Sequence, residues 1–300
     1  MQSFDGIFET IFWILIAANM AAQLSVQSLT GLMVTHWGIR VNYTRKINHF
    51  CLFFFPMALS VGLEFRDDLG TFIVKSVLAV GLLAVYVEPM RRKIGWIALM
   101  FRSYDRPEDR PYTLLWLSTQ IAVACVIALV LMALMLDTGY PELFLIAIIV
   151  NGLGDGLAEP VGVRFGRHKF RTRALFSDRT YTRSLEGSAC VFLSGFLAVW
   201  LYQAGAQSGQ FIGAPLTEAQ LWLAYATLPV AMTLAEAYSP HTWDSPFLFL
   251  VGGGLPLAVF RGSTVERQQA ELELIPQQAS DAERGADRGF TVPGGAAQPP

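Results

Sequence analysis

The chain has 300 residues, of which 53% are hydrophobic and only 15% charged, with a mean hydropathy of +0.42. A soluble domain carries about a quarter charged residues, so the apolar excess has to face lipid. The formal net charge of -2 averages basic connections with an acidic tail, and no nucleic-acid partner is expected.

The amino terminus has Asp5 and Glu9 but no early Arg or Lys, which argues against a secretory signal or a basic transit peptide. The first apolar segment, about 7–34, therefore reads as a retained span. Further windows long enough to cross a hydrocarbon core of about 30 Å follow at about 47–63, 71–87, 112–136, 142–163, 187–202 and 220–237. An eighth, 246–260, is short, contains Gly252-Gly253-Gly254 and Pro256, and either crosses or re-enters. Between 89 and 110 a polar linker holds the apolar piece 94–101, flanked by Arg91-Arg92-Lys93 and Arg102, which predicts an amphipathic helix at the membrane interface.

Arg and Lys concentrate at 40–46, 91–110 and 164–183, whereas the connections near 64–70, 137–141 and 203–218 share one Arg. The positive-inside rule puts the basic set on the cytoplasmic face, of a bacterial inner membrane or an organellar membrane. Beyond 260 the chain turns to Gln, Glu, Ala, Gly and Pro and cannot bury enough surface to offset its ordering entropy. The expected fold is thus an all-α polytopic membrane protein with about 7–8 transmembrane helices and no sheet. It comprises a membrane domain over 1–260, with a motif core at 151–188, and a disordered polar tail over 261–300. Cys51, Cys125 and Cys190 lie in apolar runs at no metal-ligand spacing and read as small core hydrophobes.

The stretch 151–188 concentrates the chemistry. Asn151, Asp155 and Glu159 follow an apolar run at spacings of four, so on a helix they form one stripe. Carboxylates inside a membrane helix are costly and mark a binding task. Asp155 and Glu159 are the candidate ligands for Mg²⁺ or another divalent cation, with Asn151 as a third, since such ions take oxygen donors and share them with substrate phosphates. Gly154 and Gly156 can admit a phosphate to the backbone; alternatively Gly152 and Gly156 form a helix-packing surface of the GxxxG kind. The connection 164–183 carries seven Arg or Lys against one Asp. Around Gly166, Arg164, Arg167 and Lys169 can cradle a polyphosphate, while Arg171, Arg173 and Arg179 read as positive-inside anchors. Arg183, Ser184, Glu186 and Ser188 close this stretch, either as a helix start capped by Ser184 or as an anion site on its free amides.

On the same predicted face lie Arg45, Lys46 and His49, with His49 as a candidate proton acceptor or hydroxyl-positioning group. Glu236 and Asp244, late in the chain, form either a second acidic pair or ordinary loop charges.

Taken together, Gly154-Asp155 through Gly166-Arg167-His168-Lys169, followed by Arg183-Ser184-Leu185-Glu186-Gly187-Ser188, resemble the CTP-dependent lipid-alcohol kinases: dolichol, phytol and farnesol kinases and the fungal CTP-type diacylglycerol kinase. Arg45-Lys46-x-x-His49 is similar to the upstream pattern of the phytol kinase branch, and 236–244 to an acidic segment late in the family. The resemblance covers about 40–260 and departs at Asp244-Ser245, where the family pattern has Asp-Asn. It implies a multi-pass membrane kinase moving the γ-phosphate of CTP to a lipid alcohol such as phytol, farnesol or a polyprenol, with a divalent cation. The family is related to phosphatidate cytidylyltransferases, so cytidylyl transfer to a phospholipid is the nearest alternative. A second is an ion-coupled transporter using the Asn151/Asp155/Glu159 stripe, which requires counter-charges buried in neighbouring spans.

Overall fold

In the computed structural model the described residues are 5–136, 138, 140–174, 177–240 and 243–259. Met1–Leu257 form one compact unit. Of the residues after it only Ala258 and Val259 are described, at the end of a helix, so the expected tail lies outside the described residues.

Long helices dominate. Helix α1 (Thr10–Trp37) ends at Gly38, whose φ of 63° closes the helix in the left-handed conformation that glycine adopts most readily. α2 (Val41–Gly62) returns, and α3 (Leu69–Leu83) starts from a capping box between Asp68 and Thr71. Two short helices, α4 (Glu88–Lys93) and α5 (Gly95–Arg102), fill the linker that the sequence marks as interfacial. α5 buries Ile97, Met100 and Phe101 against Leu83 and Tyr86 and leaves Trp96 exposed. It lies so close to α1 that a Cβ on Gly31 would stand 2.3 Å from the Leu99 carbonyl oxygen.

α6 (Thr113–Leu136) leads to a composite helix, in which α7 (Phe144–Ile149) passes through a π-helical turn, Val150–Asp155, into α8 (Gly156–Phe165). α9 (Leu185–Gln207) starts from the Ser184 cap, and α10 (Glu218–Tyr238) from a Thr217/Gln220 capping box. A last helix, α11, spans Asp244–Val259.

Among the described residues five helices are long and apolar enough to cross a membrane: Thr10–Trp37, Leu69–Tyr86, Thr113–Leu136, Pro141–Phe165 and Leu185–Gln207. This is the helix content of a membrane protein, but it falls short of the expected seven or eight. α2 and α10 have the length, but Arg45 and Lys46 in one and Glu218 and Glu236 in the other dilute their apolar runs. α11 is an unbroken helix through its three glycines. Gly252 and Gly253 let it approach Ala147 and Leu131, where a Cβ would stand 3.0 and 2.8 Å away.

A second departure is a sheet where none is expected. Strands β1 (Lys169–Ala174) and β2 (Ser177–Ser184) form an antiparallel hairpin with Phe170 opposite Arg183 and Thr172 opposite Tyr181. Lys169, Arg171 and Arg173 alternate with half-buried Phe170 and buried Thr172, a period of two that charge counting had concealed.

The centre of the bundle is the composite helix and α9, whose apolar windows are 56% and 50% buried against 22–28% for the other three spans. An aromatic stack ties α2, α7 and α11 together, with Phe249 centred 6.1 Å from Phe53 and 5.6 Å from Phe144. The glycines of the motif serve this packing: a Cβ on Gly154 would meet Ser194 Oγ at 2.3 Å and Val191 Cα at 3.0 Å, and one on Gly156 the Phe50 ring at 2.8 Å. Gly154 and Gly156 therefore face protein rather than an open path for phosphate, and Gly152 likewise abuts Phe53 and Phe54.

Gly154→Ala should destabilise the fold by about 1–3 kcal/mol, as overpacking does. Combined with Ser194→Ala it should recover part of that loss, measured as the midpoint of thermal unfolding in detergent.

Candidate functional site

Among the described residues Lys46 on α2, Asp155 at the start of α8, Glu236 on α10 and Asp244 on α11 are buried charges, and Arg106 and Asp109 in the linker before α6 are two more. On α2, Asn42, Arg45, Lys46 and His49 recur at helical spacing and share a face. Opposite stands the stripe of Asn151, Asp155 and Glu159. Lys46 Nζ donates to Asp155 Oδ1 at 2.8 Å, and each of these side chains is only 5% exposed. Arg45 Nη2 donates to Glu159 Oε2 at 2.6 Å, and Asn42 Nδ2 to Glu159 Oε1 at 2.8 Å. His49 Nε2 lies 2.9 Å from the Asn151 carbonyl oxygen and 3.5 Å from Asp155 Oδ2. A carbonyl only accepts, so Nε2 carries the proton, and in the neutral imidazole the acceptor is Nδ1.

A third segment joins from the linker before α6. Arg106 Nη1 donates to Glu159 Oε1 at 2.9 Å, while its Nε and Nη2 donate to Asp109 at 2.7 and 3.2 Å. The sequence reading missed Asn42, Arg106 and Asp109. Asn42 was detectable, three residues before Arg45 on one helical face; Arg106 and Asp109 sit in a linker whose charges read as solvated.

The fourth segment is the end of the hairpin. Arg183 ion-pairs with Glu236 on α10, and its Nη2 donates to Asp244 Oδ1 at 2.6 Å on α11 and to Ser239 Oγ at 3.0 Å. Burial alone would lower the pKa of Arg183, but Asp244 and Glu236 outweigh it and raise that pKa above the ordinary arginine range. Asp155 adds to the same effect, so the two carboxylate groups act on one electrostatic site. Among the described residues Glu236 Oε2 and Ser188 Oγ are buried without a hydrogen-bond partner.

Asn151 is fully buried, and its side chain is committed elsewhere. Its Nδ2 donates to the Ser245 carbonyl at 3.2 Å and its Oδ1 accepts from Ser245 Oγ at 3.0 Å. Ser245 thereby holds the π-helical turn in place. π turns recur at functional sites.

The expected cation ligands do not form one donor set. Asn151 turns to Ser245, and the groups facing Asp155 and Glu159 are the ammonium of Lys46 and the guanidinium groups of Arg45 and Arg106. Among the described residues no group of three or more His, Cys, Asp or Glu could hold a metal ion. The residues present do not fit a resident divalent cation.

The remaining motif residues divide into cap and rim. Ser184 Oγ accepts from Gly187 N at 3.1 Å, and Glu186 Oε1 accepts from the amides of Arg167 and His168 at 3.0 and 3.2 Å and from His168 Nδ1 at 2.8 Å. Both therefore serve the junction between α8, β1 and α9. Gly166 belongs to the same junction, since a Cβ there would meet the Gly162 carbonyl oxygen at 2.3 Å. Arg164, Arg167 and Lys169 are exposed and make no ion pair among the described residues, leaving three uncompensated cations at the rim of the buried cluster. Comparison of the chain with protein-family models, with curated proteins and with solved structures returns no match.

Lys46→Met should cost about 3–5 kcal/mol, the effect of stranding a buried carboxylate without its partner. The loss is read as the fraction remaining monodisperse after heating in detergent. Lys46→Met combined with Asp155→Leu should restore most of that fraction.

Proposed function

We propose that the protein is a multi-pass membrane kinase that transfers the γ-phosphate of CTP to the hydroxyl of an isoprenoid or other lipid alcohol. One observation carries this reading. The separate segments in which the chain resembles CTP-dependent lipid-alcohol kinases, 45–49, 154–169 with 183–188, and 236–244, converge through Lys46–Asp155 and through Arg183 with Glu236 and Asp244. In the proposed topology α2 and α10 cross the membrane as well, making seven spans, with α11 as a short eighth. The cluster then lies at the cytoplasmic face.

Phosphoryl transfer asks of a protein mainly positioning and charge neutralisation. Arg164, Arg167 and Lys169 at the rim would gather the triphosphate. A phosphate oxygen reaching the cluster would replace Asp155 as the partner of Lys46, which frees the aspartate as that contact forms. The acceptor oxygen bonds to the γ-phosphorus, and the bond from that phosphorus to the β–γ bridging oxygen breaks. CDP leaves with the electron pair, and the alcohol proton passes to Asp155. Arg45, Arg106 and Arg183 balance the remaining negative charge. A divalent ion in this proposal arrives as the counter-ion of the nucleotide.

The transporter alternative draws on the buried Lys46–Asp155 pair, since it needs counter-charges in neighbouring helices. Those charges gather at one end of the bundle instead of along its length, which favours a binding site over a path. Cytidylyl transfer differs in its product, pyrophosphate in place of CDP.

Purified protein incubated with γ-labelled CTP, ATP or UTP and with phytol, farnesol, polyprenol or diacylglycerol should yield a labelled lipid phosphate, with CTP the best donor and CDP released. Asp155→Asn should lower turnover per folded molecule by at least about 100-fold, the scale of a lost general base, beyond the loss of folded protein that leaving the buried Lys46 ammonium without its carboxylate causes. No labelled lipid from any pair, or pyrophosphate as the product, overturns the proposal.

A further inference from the structure

The connection between α3 and α6 carries a charge pattern that the proposed transfer does not use. From 84 to 104 it holds Arg91, Arg92, Lys93 and Arg102 against a single acid, Glu88. Glu88 takes Arg92 in an exposed ion pair one helical turn apart, and among the described residues no carboxylate pairs with Arg91, Lys93 or Arg102. Arg91 is instead laid over the Phe101 ring, its guanidinium carbon 4.0 Å from the centroid. Arg102 Nη1 donates to Thr35 Oγ1 at 3.4 Å, which brings the last turn of α1 to the same surface.

Apolar side chains stay exposed among these cations. Met90 and Ile94 are 46% and 43% exposed, Trp96 is 51% exposed with its indole N–H fixed on Ser28 Oγ at 2.8 Å, and Trp37 is exposed at the end of α1. Water solvates the cations well but not the Met, Ile and indole groups interleaved with them, whereas the headgroup layer of a bilayer accommodates both. The hairpin shows the contrast. On β1 the outward cations Lys169, Arg171 and Arg173 alternate with half-buried Phe170 and buried Thr172, a row that suits an anion arriving from water.

We infer that α4, α5 and the last turn of α1 form a docking surface for an anionic phospholipid, whose headgroup phosphate is held by the unpaired cations and whose acyl chains run beside Ile94 and Trp96. A zwitterionic lipid offers the same phosphate but brings a trimethylammonium that offsets it, so selectivity follows the net charge of the headgroup. In the proposed topology this face is cytoplasmic, where the leaflet carries anionic lipid; the inference does not rest on the kinase reading. Binding here restrains more than the connection itself. Ser103, at the end of α5, accepts from Asn48 Nδ2 at 2.8 Å, and its carbonyl accepts from Thr44 Oγ1 at 3.0 Å. These two contacts flank Lys46 on α2, so a lipid that holds α5 also steadies the helix that carries that cation.

The test strips full-length protein of lipid in detergent and titrates it with phosphatidylglycerol, with phosphatidylcholine of the same acyl chains and with soluble glycerol phosphate, counting bound lipid by native mass spectrometry. Each cation near a headgroup contributes about fivefold in affinity, so the first phosphatidylglycerol should bind at least about tenfold more tightly than the first phosphatidylcholine. Lys93→Gln with Arg102→Gln, both at exposed positions, should remove most of that preference, and the charge-keeping pair Lys93→Arg with Arg102→Lys should retain it. Arg171→Gln with Arg173→Gln takes the same charge from the hairpin and should leave the preference unchanged. Equal binding of the two lipids overturns the inference, as does a preference that survives Lys93→Gln with Arg102→Gln. An equal loss in the hairpin variant means that only the overall charge of the protein is read, and overturns it too. Displacement of phosphatidylglycerol by glycerol phosphate at the lipid's own concentration makes the ligand a free phosphate and overturns the assignment to lipid.

Discussion

The ion pair between Lys46 and Asp155 constrains the rest of the architecture. Two charges this deeply buried in a lipid-facing bundle lose most of their hydration, and their mutual attraction compensates only if further polar groups complete both shells. The surroundings follow from that requirement. His49 stands at the free oxygen of Asp155, and Glu159, within 4.0 Å of the Lys46 ammonium, needs Arg45, Asn42 and Arg106 for its own charge. Arg106 in turn is oriented by Asp109. The helices carrying these groups cannot slide past one another without stranding a charge, so the network fixes the register of α2 against α8 more tightly than apolar packing would.

The same economy explains the hairpin. An arginine reaching Glu236 and Asp244 from a flexible connection would lose side-chain and backbone freedom on binding. Placed one residue before the Ser184 cap, on a strand paired to β1, Arg183 is positioned by backbone hydrogen bonds at both ends. The hairpin separates its faces, with Arg183, Tyr181, Phe170 and Thr172 toward the bundle and Lys169, Arg171 and Arg173 outward. A single element thus contributes one buried cation to the cluster and a row of exposed ones to its rim.

Much of this was legible in the sequence, and the parts that were not share a cause. The stripe Asn151/Asp155/Glu159 and the group Arg45/Lys46/His49 are local patterns, recoverable from helical spacing. Which carboxylate meets which cation is not local: nothing in the chain before α6 says that Arg106 reaches Glu159, or that Ser245 and not a cation takes the amide of Asn151. The glycines were ambiguous because close approach looks the same in sequence whether the visitor is a phosphate or a Phe50 ring. The hairpin was overlooked because net charge masked an alternation that its Phe, Thr and Tyr residues support. Among the described residues only five helices combine the length and the apolar content of a span, because α2 and α10 have the length for crossing but spend part of it on charge.

The π-helical turn at Val150–Asp155 sets a limit on how this chain can vary. Each residue added to or removed from a helix rotates everything after it by about 100° and shifts it by about 1.5 Å. Asn151 is anchored to α11 within that turn, whereas Asp155 and Glu159 answer to α2 at and beyond its far end. A single-residue insertion or deletion there would leave the first anchor satisfied and swing the other two away from their cations. Length is therefore as strictly specified in this segment as side-chain identity, and relatives that preserve the cluster should differ here by substitution and not by indel.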